Sequence, residues 1–334
     1  MTPDMRRRQV LRVTLGLGAS LALSRAGSAE PPLQWRERAL IGFGTSLSLR
    51  AAHREAWRVD AGLDAAIRAI RHVERQMSLF DEHSALRQLN QHGLLRNPDV
   101  HLSQVLTLAG QIASRSGGAF DVTMQPLWNT WAAAQREGRL PSATEIRRAR
   151  SRVDWRAVRV EESAITLAHP GMAISLNGIA QGYAAELARA RLQAFGIEHA
   201  LLDTGEWSPL GQGPEGAPWT LALDPDSRSG VARQVRLVGD GRAIATSSDA
   251  HTVFSDDRRH HHIMDPRTGY SPATWSSVTV AAPSCALADG LTKVMFMATA
   301  SQAMALARQW GVDVLLVAKT GHWQASRGMP LHKV

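Results

Sequence analysis

Two hydrophobic periodicities run along this chain, and the order in which they occur restricts its fold. Leu63, Ile67, Ile70 and Met77 recur at helical spacing, whereas residues 45–49 alternate as a strand does. Further helices are predicted at about residues 102–112, 179–195, 288–298 and 301–309, and further strands at residues 165–167, 173–176, 200–202, 219–223, 235–238, 278–281 and 312–317. Because strands and helices are mixed without a strict alternation, the predicted class is α+β.

Local signals predict where some of these elements begin and end. Gly117 and Gly118 should end the second helix, and Gly196 should end the helix that starts near residue 179. Ser142 and Glu145 have the spacing of a capping box, which predicts a short helix on an arginine-rich surface excursion. With 334 residues, the chain suits one large domain or two intimate subdomains.

The N-terminus has the composition of an export signal. Three arginines at residues 6–8 resemble a twin-arginine motif, and residues 13–23 form an apolar stretch shorter than the ~20 residues of a membrane span. Small residues precede residue 30 and suit cleavage there; the alternative is an uncleaved amphipathic start. The sequence therefore predicts a signal peptide over residues 1–29, a functional domain over residues 30–334, a periplasmic location and no membrane span.

The net charge of +8 does not indicate a nucleic-acid-binding protein. Residues 1–29 contain five arginines and one acidic residue, so the predicted mature domain carries a net charge of only +4. No later stretch combines dense Lys or Arg with interleaved aromatic residues. Cys285 is the only cysteine, which excludes an intramolecular disulfide and a thiolate cluster, and we interpret it as a packing residue.

A short run near the C-terminal third is a candidate functional loop. Residues 262–269, HIMDPRTG, combine a histidine, an acid, an arginine and a proline-fixed turn. His262 titrates in the range useful for proton transfer. His260 and His261 precede it, and three consecutive histidines also suggest a transition-metal site, although adjacent strand residues point to opposite faces and cannot all bind one ion.

Five runs in a fixed order carry a family resemblance. They are residues 43–45 (FGT); 77–80 (MSLF) with Ser84 and Asn90; 118–123 (GAFDVT) with 126–128 (PLW); 177–183 (NGIAQGY); and 262–269 followed by 288–291 (ADGL). They resemble the FAD:protein FMN transferases, the ApbE family, over about residues 40–317. The resemblance implies an ApbE-like flavin transferase fold that binds FAD and Mg²⁺. It also implies transfer of FMN to a threonine or serine hydroxyl of a partner flavoprotein, with release of AMP.

The resemblance assigns candidate roles to individual residues. His262 is a candidate general base or pyrophosphate-binding residue, and Asp289 matches the family's metal-binding aspartate, with a helix cap as the alternative. Gly178 occupies the position whose backbone carbonyl ligates the metal. The candidate cofactor-binding residues are Met77, Phe80, Asn90, Phe120, Asp121, Thr123, Gly178, Ile179, Ala180, Gln181, His262, Asp265 and Thr268, and the candidate metal ligands are Gly178, Asp289 and Thr292.

Several of these residues also have simpler interpretations. The turn at residues 178–183 can present backbone amides to a phosphate, or it can be an ordinary junction between a loop and a helix. Met77 and Phe80 are expected to wall the pocket for the isoalloxazine or adenine ring, and residues 120–123 to line the flavin side, although Phe120 can equally be a core residue. Asp265 and Thr268 are expected to shape their loop.

The chain departs from the family pattern at three places. Gln181 stands where a phosphate-pairing lysine is common, and residues 203–206 (DTGE) replace a double-glycine run. Lys293 stands where a metal-binding threonine is expected, four residues after Asp289, and Thr292 lies one residue early. The Lys293 ammonium can replace the cation, repel it, or swing aside while Thr292 ligates. These changes resemble a branch associated with nitrous-oxide reductase maturation, which suggests a maturation protein as the acceptor.

The sequence thus predicts a periplasmic FAD:protein FMN transferase acting on a partner flavoprotein. Two alternatives remain: an FAD-binding protein of the same fold with little transferase activity, and an FAD pyrophosphatase that produces FMN and AMP. Lys293 is the feature that separates the first alternative from the main prediction.

Overall fold

The computed structural model describes residues 31–223, 235–250 and 252–332, so the predicted signal peptide lies outside the described residues. The strands are β1 (Gln34–Gly42), β2 (Thr45–His53), β3 (Leu94–Arg96), β4 (Val158–Val160), β5 (Ala164–Leu167), β6 (His199–Asp203), β7 (Trp207–Leu210), β8 (Thr220–Leu223), β9 (Val235–Val238), β10 (Ala243–Ser248), β11 (Trp275–Ala282), β12 (Asp313–Ala318) and β13 (Trp323–Ala325). The helices are α1 (Ala56–Met77), α2 (Ala85–His92), α3 (Val100–Arg115), α4 (Gln125–Arg136), α5 (Ala143–Arg150), α6 (Ala180–Ala194), α7 (Cys285–Phe296) and α8 (Ala300–Trp310).

The largest sheet has eight strands in the order β1-β2-β6-β7-β10-β11-β12-β13, and each neighbouring pair is antiparallel. Two smaller sheets have the orders β3-β5-β4 and β8-β9. Helix α1 packs against α6, and α7 packs against α6, β10 and β11. This mixture of helices and antiparallel strands confirms the predicted α+β class. Among the described residues, no helix combines the length and the apolar character that a membrane crossing requires.

Local patterns predicted the helices well. In α1, Leu63, Ile70 and Met77 are at most 1% exposed, so the predicted apolar stripe is the buried face. The capping box of α5 is also confirmed, because the Ser142 hydroxyl accepts from the Glu145 N–H while the Glu145 carboxylate accepts from the Ser142 N–H. Gly196 follows the last turn of α6 with φ of +75°, as its predicted role requires.

One strand prediction was wrong. Residues 173–176 do not join a sheet: Ala173 forms only an isolated bridge with Met124, and the Ser175 N–H donates to the Val122 carbonyl at 2.7 Å. The apolar residues of this segment are buried beneath the loop that precedes α4, and its backbone bonds to that loop and to the Asn90 side chain instead of to a neighbouring strand.

Candidate functional site

A cavity of about 700 Å³ opens beside α2, the loop before α4, the start of α6, β10 and α7. Its aromatic lining consists of Phe80, Phe120 and Trp128. Its polar and charged lining includes Arg87, Asn90, Asp121, Asn177, Gln181, Glu206, Thr246, Ser247, Ser248, His262 and Lys293. An apolar wall with a few convergent polar groups is the usual form of a small-molecule site.

The cavity collects about half of the predicted site residues. Phe80, Asn90, Phe120, Asp121, Gly178, Gln181 and His262 line it. Phe80 stands at the rim with 77% of its surface exposed, so a large ring is available to a ligand or a partner. Phe120 is 6% exposed, so it is a core residue that also lines the cavity, and its contact with the flavin stays a prediction.

Other predicted residues lie behind the cavity wall. Met77, Thr123, Ile179 and Ala180 are at most 2% exposed and do not line the cavity. Met77 belongs to the buried face of α1, and Ile179 and Ala180 belong to the same core cluster. The structure therefore places these four side chains behind the cavity wall, and their contact with a cofactor stays a prediction.

Three backbone amides at the turn before α6 already donate to other groups of the protein. The Ile179 and Ala180 N–H groups both donate to the Leu176 carbonyl, at 3.0 and 2.8 Å. The Gly182 N–H donates to Asp289 Oδ2 at 3.3 Å. Since these three donors already have protein partners, this turn does not offer them as a ready anion-binding site.

Asp121 fixes the loop that carries Phe120. Its Oδ1 accepts from the Thr123 N–H at 2.8 Å and from the Thr123 hydroxyl at 2.6 Å, and its Oδ2 accepts from the Trp155 N–H at 3.1 Å. Burial raises the pKa of the Asp121 carboxyl, and these hydrogen bonds oppose the shift. Thr123 thus supports Asp121 instead of reaching the cavity.

The loop at residues 262–269 is shaped by its own acid. The Asp265 carboxylate accepts from the backbone N–H of Arg267 at 2.9 Å and pairs with the Arg267 guanidinium at 2.7 Å. The Asp265 carbonyl accepts from the N–H groups of Thr268 and Gly269. Asp265 and Thr268 do not line the cavity, so the expectation that they shape the loop is met, but direct contact with a cofactor is not supported.

The three consecutive histidines point to three different environments. His260 packs its ring 4.7 Å from that of Trp131, between centroids. His261 is fully buried, and burial lowers its pKa to about 4. His262 lines the cavity. No cluster of three or more His, Cys, Asp or Glu able to hold a metal ion occurs in the part of the chain that the structure describes.

The His262 ring lies close to a carbonyl group that restricts its tautomer. Its Nδ1 is 3.3 Å from the Thr252 carbonyl oxygen, and the His262 N–H donates to the same oxygen at 2.9 Å. A carbonyl oxygen can only accept, so this contact favours a proton on Nδ1 and leaves Nε2 as the basic nitrogen.

Asp289 is buried beneath the cavity and paired with Lys293. Asp289 is 1% exposed, and its Oδ1 forms an ion pair with the Lys293 ammonium one helical turn later. The same ammonium donates to the Asp289 carbonyl at 3.2 Å. Asp289 is not the helix cap, because the Ser284 hydroxyl accepts from the Leu287 N–H and caps α7. The alternative role as a cap was therefore wrong.

Thr292 does not face the cavity. Its hydroxyl donates to the Asp289 carbonyl at 2.6 Å and lies 2.7 Å from the Ser247 hydroxyl of β10. Thr292 is 0% exposed. The prediction that Thr292 ligates a metal is thus not supported, because the helical turn directs this side chain toward the sheet while Lys293 takes the cavity side.

Glu206 is a site residue to which the sequence assigned no role. It lines the cavity, is 6% exposed, and its Oε2 has no hydrogen-bond partner among the described residues. Burial raises the pKa of Glu206 well above its ordinary value, the Asp289 carboxylate raises it further, and Lys293 opposes the shift. Glu206 follows β6, whereas Asp289 lies in α7, so only the tertiary fold brings the two carboxyl groups together.

Comparison with known proteins places these features in a family. Residues 43–316 match the ApbE family. The chain is 31% identical over 261 residues to the FAD:protein FMN transferase of Vibrio cholerae. This alignment covers 76% of this chain and 78% of the relative. This chain is also 27% identical over 328 residues to an FAD:protein FMN transferase of Klebsiella pneumoniae, and the alignment covers 91% of each protein.

Solved structures show the same fold. The chain superposes on the flavin transferase ApbE from Vibrio cholerae with a TM-score of 0.76 at 25% identity, covering 88% of this chain and 97% of the other. The TM-score is 0.79 at 26% identity for the ApbE protein from Thermotoga maritima, with the same coverage. Because the family match extends over residues 43–316 and the solved structures share the fold, this chain belongs to the ApbE family.

Proposed function

We propose that this protein is an FAD:protein FMN transferase that moves FMN from FAD to a threonine or serine hydroxyl of a partner flavoprotein. The observation that carries the proposal is the cavity itself, in which Phe80, Phe120 and Trp128 provide flat apolar surface and His262 and Lys293 provide polar groups. A flavin ring needs the first kind of surface and a diphosphate needs the second.

The proposed reaction is a phosphoryl-group transfer. The acceptor hydroxyl oxygen attacks the phosphorus of the FMN half, a new P–O bond forms, and the bond from that phosphorus to the bridging oxygen breaks. AMP leaves with the bridging oxygen, and the hydroxyl proton passes to His262. We assign the proton transfer to His262 Nε2, since Nδ1 faces the Thr252 carbonyl.

The residues expected to hold Mg²⁺ do not fit that ion in their present arrangement. Both Asp289 carboxylate oxygens have partners, Oδ1 with Lys293 and Oδ2 with the Gly182 N–H. The Thr292 hydroxyl is bonded to the Asp289 carbonyl. Mg²⁺ requires several oxygen ligands in octahedral geometry and would have to displace an ammonium group here. We therefore assign no step of the reaction to a metal.

Mass spectrometry of an acceptor tests the transferase function. The mature chain is incubated with FAD and a flavoprotein domain that carries an FMN-attachment threonine, and the intact acceptor is weighed. We expect a gain of one FMN moiety with one AMP released per acceptor. Changing the acceptor threonine to alanine should abolish the gain, and His262→Gln should slow it strongly while FAD binding persists.

The same assay separates the two alternative functions. An FAD pyrophosphatase would release FMN and AMP without any gain in acceptor mass. An FAD-binding protein with little transferase activity would retain FAD intact and leave the acceptor unchanged. Either result with several acceptor domains would contradict the proposed function.

We also propose that the protein acts in the periplasm, where a nitrous-oxide reductase maturation flavoprotein is one acceptor. The arginines at residues 6–8 and the apolar residues 13–23 support export. A variant in which Arg6, Arg7 and Arg8 are all lysine should remain in the cytoplasm, as measured by fractionation and immunoblotting. Undiminished periplasmic protein from this variant would contradict twin-arginine export.

A further inference from the structure

Lys293 forms a fixed cationic group in the cavity wall. Its side chain is 22% exposed, and it pairs with Asp289, whose side chain is 1% exposed. Two of the three ammonium N–H bonds are directed to Asp289, one to Oδ1 and one to the backbone carbonyl. Lys293 lines the cavity together with the Glu206 carboxyl, so its remaining N–H bond can be donated to Glu206 or to a ligand on that side.

The lysine stem passes next to the turn at which the sequence predicted a metal ligand. A Cβ atom at Gly178 would lie 3.2 Å from Lys293 Cε and 3.6 Å from Lys293 Cδ. The glycine thus leaves the space that the stem uses, and the ammonium is held beside Asp289. This is the region in which the resemblance places a cation between the residue 178 carbonyl and Asp289.

Charge in this part of the cavity also favours an internal cation. Gln181 lines the cavity and donates its Nε2 hydrogen to the Thr204 carbonyl at 3.0 Å, so it supplies no positive charge. Among the residues that line the cavity in the described part of the chain, Arg87 and Lys293 carry a positive charge. Of the two, Lys293 lies beside Asp289 and Gly178. A diphosphate bound there needs a cation to offset its charge.

We infer that the Lys293 ammonium, held by Asp289, is a built-in cation that binds the diphosphate of FAD in place of a divalent metal ion. The inference rests on the proposed function for the identity of the ligand. It makes FAD binding by this chain independent of Mg²⁺. The Lys293 ammonium also distinguishes FAD from riboflavin, because riboflavin has no phosphate for the ammonium to contact.

Lys319 provides a matched control for the loss of a charge. It is 24% exposed, and its ammonium lies 3.3 Å from the carboxylate of Asp249, whose side chain is 1% exposed. Lys319 therefore has the same kind of ion pair and nearly the same exposure as Lys293, but it does not line the cavity. Replacing either lysine with methionine keeps most of the stem and removes the charge.

The test measures the Kd of FAD and of riboflavin by flavin fluorescence, in excess EDTA and in excess Mg²⁺. We expect the wild-type Kd for FAD to be the same in both buffers. Lys293→Met should raise that Kd on the order of tenfold, the effect of losing one charge-assisted hydrogen bond. It should leave the Kd for riboflavin unchanged, and Lys319→Met should bind FAD as the wild type does.

Two further variants extend the test: one controls for a folding defect, and the other asks whether removing the ammonium restores Mg²⁺ binding. Lys293→Met removes the cation that offsets the buried Asp289 carboxylate. Combining Lys293→Met with Asp289→Asn removes both charges and should restore the melting temperature but not FAD affinity. Lys293→Thr should bind FAD more tightly in Mg²⁺ than in EDTA, and Mg²⁺ alone should then give a binding isotherm by calorimetry that wild type lacks.

The outcomes separate this inference from the proposed function. Wild-type FAD binding that disappears in EDTA, or Lys293→Met binding FAD as tightly as wild type, would overturn the internal cation while leaving the transferase intact. A chain that binds no FAD in either buffer would overturn both.

Discussion

Asn90 pairs with the backbone of Ile174 through both ends of its side-chain amide. The Asn90 Nδ2 group donates to the Ile174 carbonyl at 2.8 Å, and Asn90 Oδ1 accepts from the Ile174 N–H at 2.6 Å. This amide satisfies the backbone of the segment that the sequence predicted as a strand, so it replaces a neighbouring strand at that point. Asn90 also lines the cavity, which makes it a structural support of the site wall.

Asn90→Ala should therefore lower stability as well as ligand binding. The loss of two hydrogen bonds, with the backbone groups of Ile174 left unsatisfied, is expected to reduce the free energy of unfolding by about 1–3 kcal/mol. Denaturant unfolding measures the change. Gln91 lines the same cavity and is exposed, so Gln91→Ala is the control and should unfold as wild type does. Equal stability of the two variants would mean that the Ile174 contact contributes nothing.

The contact between α6 and α7 depends on Gly182. A Cβ atom there would lie 2.4 Å from the Cys285 carbonyl oxygen and 2.9 Å from Asp289 Cβ. Because the first of these atoms is backbone, Gly182→Ala should force the helices apart and cost about 3 kcal/mol. Gly110 in α3 has nothing within 4 Å of such an atom, so Gly110→Ala should instead stabilise the protein by about 0.5–1 kcal/mol. Thermal unfolding compares the two variants, and a shift of the same sign in both would contradict the close packing.

His261 should make the protein less stable in acid. Burial lowers its pKa from 6.5 to about 4, and the facing charges are those of Lys319, Asp249 and His262. Between these two pKa values the unfolded chain binds the proton and the folded chain does not, so stability falls as pH drops below 6.5. From about pH 7.5 to about pH 5.5 the expected loss from this group is about 1 kcal/mol.

His261→Gln tests this pH dependence, since glutamine cannot take up the proton and its amide can still donate to the Pro272 carbonyl that His261 Nε2 contacts. Its free energy of unfolding should fall less between the two pH values than that of wild type. The exposed His169 serves as the control, and His169→Gln should keep the wild-type dependence. A parallel decline in wild type and His261→Gln would assign the acid sensitivity to other groups.

Sequence patterns succeeded where the interactions are local. The apolar stripe of α1 and the Ser142–Glu145 capping box each lie within one element, so spacing alone predicts them. The Asp289–Lys293 ion pair also lies within one helix, where i,i+4 spacing places both side chains on the same face.

The site could not be completed from the sequence because its remaining parts come from distant elements. Strand β10 is buried almost along its length, and its sequence AIATSS has no alternation of apolar and polar residues, yet Thr246, Ser247 and Ser248 line the cavity. Glu206 lies between β6 and β7 and Asp289 lies in α7, so their electrostatic interaction joins segments that are far apart in the sequence. Nothing in the local sequence of either segment indicates that contact.

Gly269 positions the loop that carries His262 into the cavity. Its φ is +81°, and an added Cβ atom would lie 2.7 Å from Ile146 Cγ2 and 3.0 Å from Leu127 Cδ2. The Gly269 carbonyl also accepts from Trp131 Nε1 at 2.9 Å. Helices α4 and α5 thus hold this loop at one residue, so Gly269→Ala should displace it and weaken both stability and FMN transfer.

Gly321 allows backbone strain and side-chain crowding to be separated as causes of the stability lost in Gly269→Ala. Its φ is +84°, and nothing lies within 4 Å of an added Cβ atom, so Gly321→Ala introduces the same backbone strain without crowding. That strain should cost about 1–2 kcal/mol in each variant, and crowding should add about 1–3 kcal/mol in Gly269→Ala alone. Combining Gly269→Ala with Ile146→Ala removes the closest contact and should restore part of the transfer rate, as the mass assay measures. If Gly269→Ala and Gly321→Ala instead lose the same stability and both retain wild-type transfer, α4 and α5 do not position the His262 loop.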